Sequence, residues 1–165
     1  MSIVEMFLGE FDQEMAGTRK MLERFPDSKA SWKPHEKSFS MSQLAGHVAE
    51  LPDFFSKTAG ADSYAMTAAE YKPFVPKSAG EAVARFDEET RKARAAIAKL
   101  NDTDLATPWS FIYEGKTYFT MPRGAVLRGF CMNHIIHHRA QLTVYYRMND
   151  VPVPGLYGPS ADEPG

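Results

Sequence analysis

Apolar residues recur at intervals of three and four along four stretches of this chain, and the first three open on a helix-capping pair. Over residues 2–24 the apolar positions are Ile3, Met6, Phe7, Phe11, Met15, Met21 and Leu22, with Glu10 as a polar interruption. Ser2 with Glu5 reads as a capping box at the start, and Pro26 follows the end. A second stretch, 41–59, is opened by Ser40 with Gln43 and places Leu44, His47, Leu51, Phe54 and Phe55 on one face. Pro52 falls inside it and predicts a kink. The third, 79–100, opens on Ser78 with Glu81 and is lined by Val83, Phe86, Ile97 and Leu100. The fourth, 122–148, begins with Pro122, well suited to a first helical turn. In the connection before it, aromatic residues alternate around Glu114-Gly115, which suits a short hairpin. The tail, 149–165, is rich in proline and glycine and predicts no helix. The expected fold is all-α, a four-helix bundle with long connections, in one domain over 1–165.

Composition narrows the classes of function. A net charge of −2, with lysines and arginines scattered, gives no electrostatic footprint for nucleic acid or an anionic membrane. No apolar run approaches the roughly 20 residues that span a bilayer. The start, "MSIVEMFLGEF", carries Glu5 and Glu10 and lacks a signal-peptide pattern, so a cytoplasmic protein is expected. With Cys131 as the single cysteine, a disulfide framework and a multi-cysteine zinc site are both excluded within one chain.

Chemistry concentrates in "HIIHH", residues 134–138. On a wheel of about 100° per residue with His134 at zero, Leu127 and Tyr145 fall near 20°, His138 near 40° and Cys131 near 60°. His134 and His138 therefore sit in the middle of the apolar stripe, one turn apart, as paired imidazole ligands do. His137, near −60° on the same wheel of about 100° per residue, lies on its flank. His47 is centred on the apolar face of the second helix, between Leu44 and Leu51. A neutral core imidazole needs partners for both nitrogens, and a divalent cation supplies one to each of several rings at once. Three such nitrogens suit zinc, nickel, iron or copper and leave coordination positions open. Cys131, one turn before His134, is read as packing, with a fourth-ligand role as the alternative. Glu50 and Asp53 are the near carboxylates, Glu50 being the candidate base or ligand-orienting group. His35 is expected to face solvent. A ferritin-like di-iron site is disfavoured, because the fourth helix has no glutamate near its histidines.

Taken together, "WKPHEKSFSMSQLAGHVAEL", "NHIIHHRAQLTVYYRMNDVPVP" and "YGPSADE" resemble the DinB/YfiT-like superfamily of metal-binding four-helix bundles. Matched residue by residue, that resemblance puts a metal triad on His47, His134 and His138; Ala140 stands where most relatives have glycine. It implies one divalent metal per chain, nickel or zinc first and iron, manganese or copper after them, and a homodimer. It also implies either a transferase using a low-molecular-weight thiol on a small electrophile, or a metal-dependent hydrolase of an ester or amide. A metal-stabilised, non-catalytic dimeric module is the reading from outside enzymology. Phe54, Phe55, Trp109, Tyr145 and Tyr146 exceed what four helices of this length need to bury, so part of that aromatic surface is expected to meet a two-fold partner. The pocket is expected near the end of the bundle, where "YGPSADE" folds back.

Overall fold

A computed structural model describes residues 1–164. Helix α1 spans Ile3–Glu23, and its capping box forms as expected: the Ser2 hydroxyl accepts from the Glu5 amide and the Glu5 carboxylate accepts from the Ser2 amide. The second stretch divides into α2, Met41–Glu50, and α3, Pro52–Gly60. Its cap on Ser40 and Gln43 also forms. The division falls at Pro52 because proline has no amide to continue the ladder, and it becomes the first-turn residue of α3 instead. Helix α4 is Ala79–Ile97, capped by Ser78. After the short α5, Asp102–Ala106, comes the hairpin of β2, Pro108–Tyr113, and β3, Lys116–Pro122. Glu114 (φ 49°) and Gly115 (φ 72°) form its turn, both in the left-handed region that two-residue hairpin turns require.

The purely all-α, four-helix expectation needs correction. A strand that the pattern did not announce, β1, Ser63–Met66, pairs in parallel with β2 and makes a three-stranded sheet ordered β1-β2-β3. Four residues are too few for a period to stand out, and the partner strand lies beyond α4 in the chain. No local signal therefore marks β1.

The fourth helical stretch is also not uniform. It comprises α6, Arg123–Ala125, a π-helical segment, Val126–Met132, and α7, Asn133–Arg147. A π-turn takes more residues than an α-turn, so the buried face before it is out of phase with the face after it. Val126, Leu127, Cys131 and Met132 are buried, and then the stripe runs through Ile135, Arg139, Leu142, Tyr145 and Tyr146. A single wheel cannot follow that slip. His134 and His138 consequently stand on the edge of the stripe, half-buried, rather than in its middle.

Helix α4 packs against α1, α2 and α3, while α7 lies against α1 and α2. Phe11, Met21, Leu44, Phe55, Phe86, Trp109 and Tyr146 are fully enclosed in the core between them. Phe55, Trp109, Tyr145 and Tyr146 are thus consumed inside the chain, and Phe54 packs on Tyr64, Phe111 and Phe130. Phe55, Trp109, Tyr145 and Tyr146, four of the five residues that argued for a two-fold partner, therefore leave no aromatic surface for one. Among the described residues, no helix is long and apolar enough to cross a membrane.

The loop after β1 is pressed onto α2. A Cβ at Gly46 would lie 1.9 Å from the Phe74 carbonyl oxygen and 2.9 Å from Pro76 Cδ. The Ser42 hydroxyl donates to the Pro76 carbonyl (2.5 Å), and the Phe74 amide donates to Glu50 (3.1 Å). Gly46→Ala must push this loop outward. A loss of about 1–3 kcal/mol is expected, read as an earlier midpoint in urea denaturation. An unchanged midpoint would show that the loop is not seated there.

Candidate metal centre

Helix α2 is buried on almost every side. Gln43, His47 and Glu50, spaced by four and three, are its only positions that are not. His47 and Glu50 of this strip face a cleft of about 680 Å³, lined also by α3, β1, β2, the π-helical segment and the loop after β1. His134 reaches the same cleft from the start of α7. The bundle core fixes the helices, and the histidines occupy the margin where two buried faces open.

Each of the three rings offers a nitrogen within 4.8 Å of the others. The His47 and His134 Nε2 atoms are 3.3 Å apart. Two metal–nitrogen bonds of about 2.0–2.1 Å meeting at a tetrahedral angle hold their nitrogens about 3.3–3.4 Å apart. The observed pair therefore has the spacing of one edge of such a site. His138 Nδ1 donates to Gln141 Oε1 (2.8 Å), which fixes the tautomer and leaves Nε2 free to bind. His134 Nδ1 is buried without a hydrogen-bond partner, so that ring is held by packing, 5.5 Å from the Phe130 ring centroid. The donor set and its spacing fit a divalent cation.

Electrostatics agree. Burial first, and then the neighbouring imidazoles, push His47 and His134 down to about 4 from the usual 6.5. Burial likewise lowers His138, against the opposing hydrogen bond from Gln141. All three are neutral near pH 7, the form that binds metal. The metal-free chain has a matching pH signature. Between about 6.5 and about 4 the unfolded chain takes up protons that folded His47 and His134 refuse. Their contribution to stability should fall as pH drops through that window and be fully lost below it. Urea midpoints in chelator at pH 7.5, 5.5 and 4 test this; midpoints that rise toward acid would contradict it.

The remaining sequence candidates fall as follows. Cys131 is outside the cluster, buried beside the Thr58 hydroxyl at 3.6 Å, with burial raising its thiol to about 12. His137 is exposed on the flank, with its ring against His138. His35 is exposed, and its Nδ1 accepts from the Lys37 amide. Glu50 lines the cleft but is occupied by the Phe74 amide and by Arg85 at 3.4 Å. Asp53 is paired with Lys57 at 2.6 Å. The tail does fold back, yet it does not line this cleft. Tyr157 instead lies on the far flank of α7, where its hydroxyl donates to Glu14.

That flank holds an arrangement the sequence reading passed over. Arg139, directly after His138, is buried and paired with the buried Glu14 at 2.7 Å. Its guanidinium also donates to the Glu14 carbonyl (3.1 Å) and the Thr18 hydroxyl (3.2 Å). The available signal was a charge at an inward position on each of two facing helices: Glu14 beside Met15, and Arg139 four residues after Ile135.

Comparison with known proteins bears on the fold and the family. A Bacillus cereus ATCC 10987 DinB-like protein of known crystal structure is 26% identical and superposes with a TM-score of 0.73, over 94% of this chain and 98% of its own. The DinB-like protein YjoA of Bacillus subtilis, 19% identical, shares the fold with a TM-score of 0.67 over 89% and 95% of the two chains. The uncharacterized protein YrdA of Bacillus subtilis (strain 168) is 29% identical over 161 residues, 97% of this chain and 91% of that protein. Residues 10–142 match the DinB superfamily as a whole, and the chain belongs to that family.

Proposed function

We propose that His47, His134 and His138 hold one divalent cation, nickel or zinc before iron, manganese or copper, and that the protein is a transferase. In this reading it passes a low-molecular-weight thiol to a small electrophile in the cytoplasm. The observation that carries it is the convergence of three neutral imidazoles at the edge of an open cleft, with no cysteine or carboxylate in the cluster. A divalent cation supplies Lewis acidity there, lowering the pKa of a thiol or water beside it.

The chain's own residues do the rest. Gln141 holds the His138 proton on Nδ1 and so leaves Nε2 free as the ligand atom. Phe39 packs edge-on against His47 and Phe130 against His134, which limits how those rings can turn. A metal-dependent hydrolase usually has a free carboxylate near the site to take a proton from water. Glu50 is held by Arg85 and the Phe74 amide, and Asp53 by Lys57, which favours the thiol reading. A thiol needs no such base once its pKa is lowered.

Titration of cobalt-substituted protein with a small thiol tests the proposal. The absorption spectrum should change, with an affinity that rises with pH below the thiol's own pKa, by about tenfold per unit at most. A spectrum indifferent to thiol would remove the transferase reading. The homodimer rests on family likeness alone; light scattering at micromolar concentration giving only an 18.5 kDa species would exclude it.

A further inference from the structure

Four aromatic rings meet along one side of the cleft, each from a different element. Phe54 comes from α3, Tyr64 from β1, Phe111 from β2 and Phe130 from the π-helical segment. Phe130 stands 5.5 Å from the His134 ring, Phe54 stands 5.6 Å from Phe130, and Tyr64 stands 5.5 Å from Phe54. Phe111 closes the group, 6.0 Å from Phe54 and 6.5 Å from Phe130. The rings thus form one continuous wall that begins at the histidines and runs outward along the cleft.

All four rings pack on the core from outside, but the core does not enclose them. Phe55 and Trp109, which fill the core, are wholly enclosed, whereas all four wall residues are half-buried and border the cleft. The small sheet explains how it is built, since β1 and β2 carry Tyr64 and Phe111 to the side of the bundle where the histidines open. A wall of rings can take either a cation or a flat apolar group. Here the Lys57 ammonium already lies 4.2 Å from the Tyr64 ring centre and donates to its hydroxyl (3.1 Å). Lys57 thus already fills the cation's place on Tyr64, which leaves the faces of the other rings to an uncharged ring.

We propose that the ligand of this site carries an aromatic ring, which lies against Phe54, Tyr64, Phe111 and Phe130 while its reacting end reaches His47, His134 and His138. This names a substrate class for the site and rests on the metal reading given above. A cleft of about 680 Å³ is of the size that receives a small molecule of this kind.

Benzohydroxamate and acetohydroxamate present the same chelating group and differ in the ring, so calorimetry of both against zinc-loaded protein isolates the wall. Benzohydroxamate should bind about tenfold more tightly or better, the scale of a well-placed aromatic contact. Phe54→Leu or Phe111→Leu should collapse the ratio toward one with zinc content unchanged, and Phe111→Tyr should keep it. Equal affinities in the parent protein, with zinc bound, would overturn the proposal and leave the metal reading standing. NMR of the aromatic side chains makes the wall testable without metal: millimolar benzohydroxamate should shift the Phe54, Tyr64 and Phe111 ring signals. If zinc does not load but those signals move, the wall stands and the metal reading falls; ring signals that stay put overturn the wall.

Discussion

Replacing His138 with alanine is expected to remove stoichiometric metal from the protein, while His137→Ala leaves metal content nearly unchanged. The two residues are neighbours in sequence, and their ring centres are 4.9 Å apart. What separates them is direction. His138 turns inward to the cluster with His47 and His134, and His137 faces solvent. Losing one of three protein ligands leaves two imidazoles, too few to compete with a chelating buffer. Gln141→Ala should have an intermediate effect, about 10- to 100-fold in metal affinity, because it orients a ligand without being one. Metal analysis of untagged protein after dialysis reads all three. Full retention of metal in His138→Ala would refute the assignment.

The second large effect is expected away from the cleft. Arg139→Ala leaves the Glu14 carboxylate buried without its cation, a change that costs about 3–5 kcal/mol when a buried ion pair is broken from one side. For a chain of this size each kcal/mol shifts the melting temperature by about 2–4 °C, so a fall of roughly 6–20 °C follows. Tyr157→Phe should cost less, about 1.5–3 kcal/mol, the net worth of a hydrogen bond to a charged group. Removing both charges together, as Glu14→Leu with Arg139→Met, should restore much of the loss. The ion pair joins α1 to α7 and receives the tail, so calorimetry of these variants also measures how firmly the helix that carries His134 and His138 is held. A drop below about 1 kcal/mol in Arg139→Ala would contradict this account.

How much of this could be read from the chain itself depends on the range over which each signal acts. Caps are local, and Ser2, Ser40 and Ser78 marked three helix starts to within a residue. Pro52 marked the break between α2 and α3 for the same reason. The Glu114-Gly115 turn is local too. Strand β1 was invisible, because what makes it a strand is a ladder to residues 110–113 across an entire helix. The histidines were found by their spacing, but their placement was read wrongly. A uniform wheel put them mid-stripe, and the π-helical slip moves the stripe onto Ile135, Arg139 and Leu142. The correction matters for chemistry: rings at the margin reach an open cleft, whereas rings mid-stripe would have been sealed in the core. Glu50 and Asp53 were legible as nearby carboxylates. Asp53 has Lys57 four residues on along α3, a pair that helical spacing can show; the capture of Glu50 by Arg85 has no such signal, since nothing in the chain's spacing specifies a partner 35 residues away.

The central claim is a cation held by three imidazoles with a position left open to the cleft. X-ray absorption at the metal edge, on untagged protein with and without an added thiol, tests it most directly. Three nitrogen ligands at about 2.0–2.1 Å are predicted, together with one or more light-atom ligands from solvent that give way to sulfur when the thiol is added. A sulfur ligand already present without added thiol, and lost in Cys131→Ala, would mean a closed structural site and contradict the account.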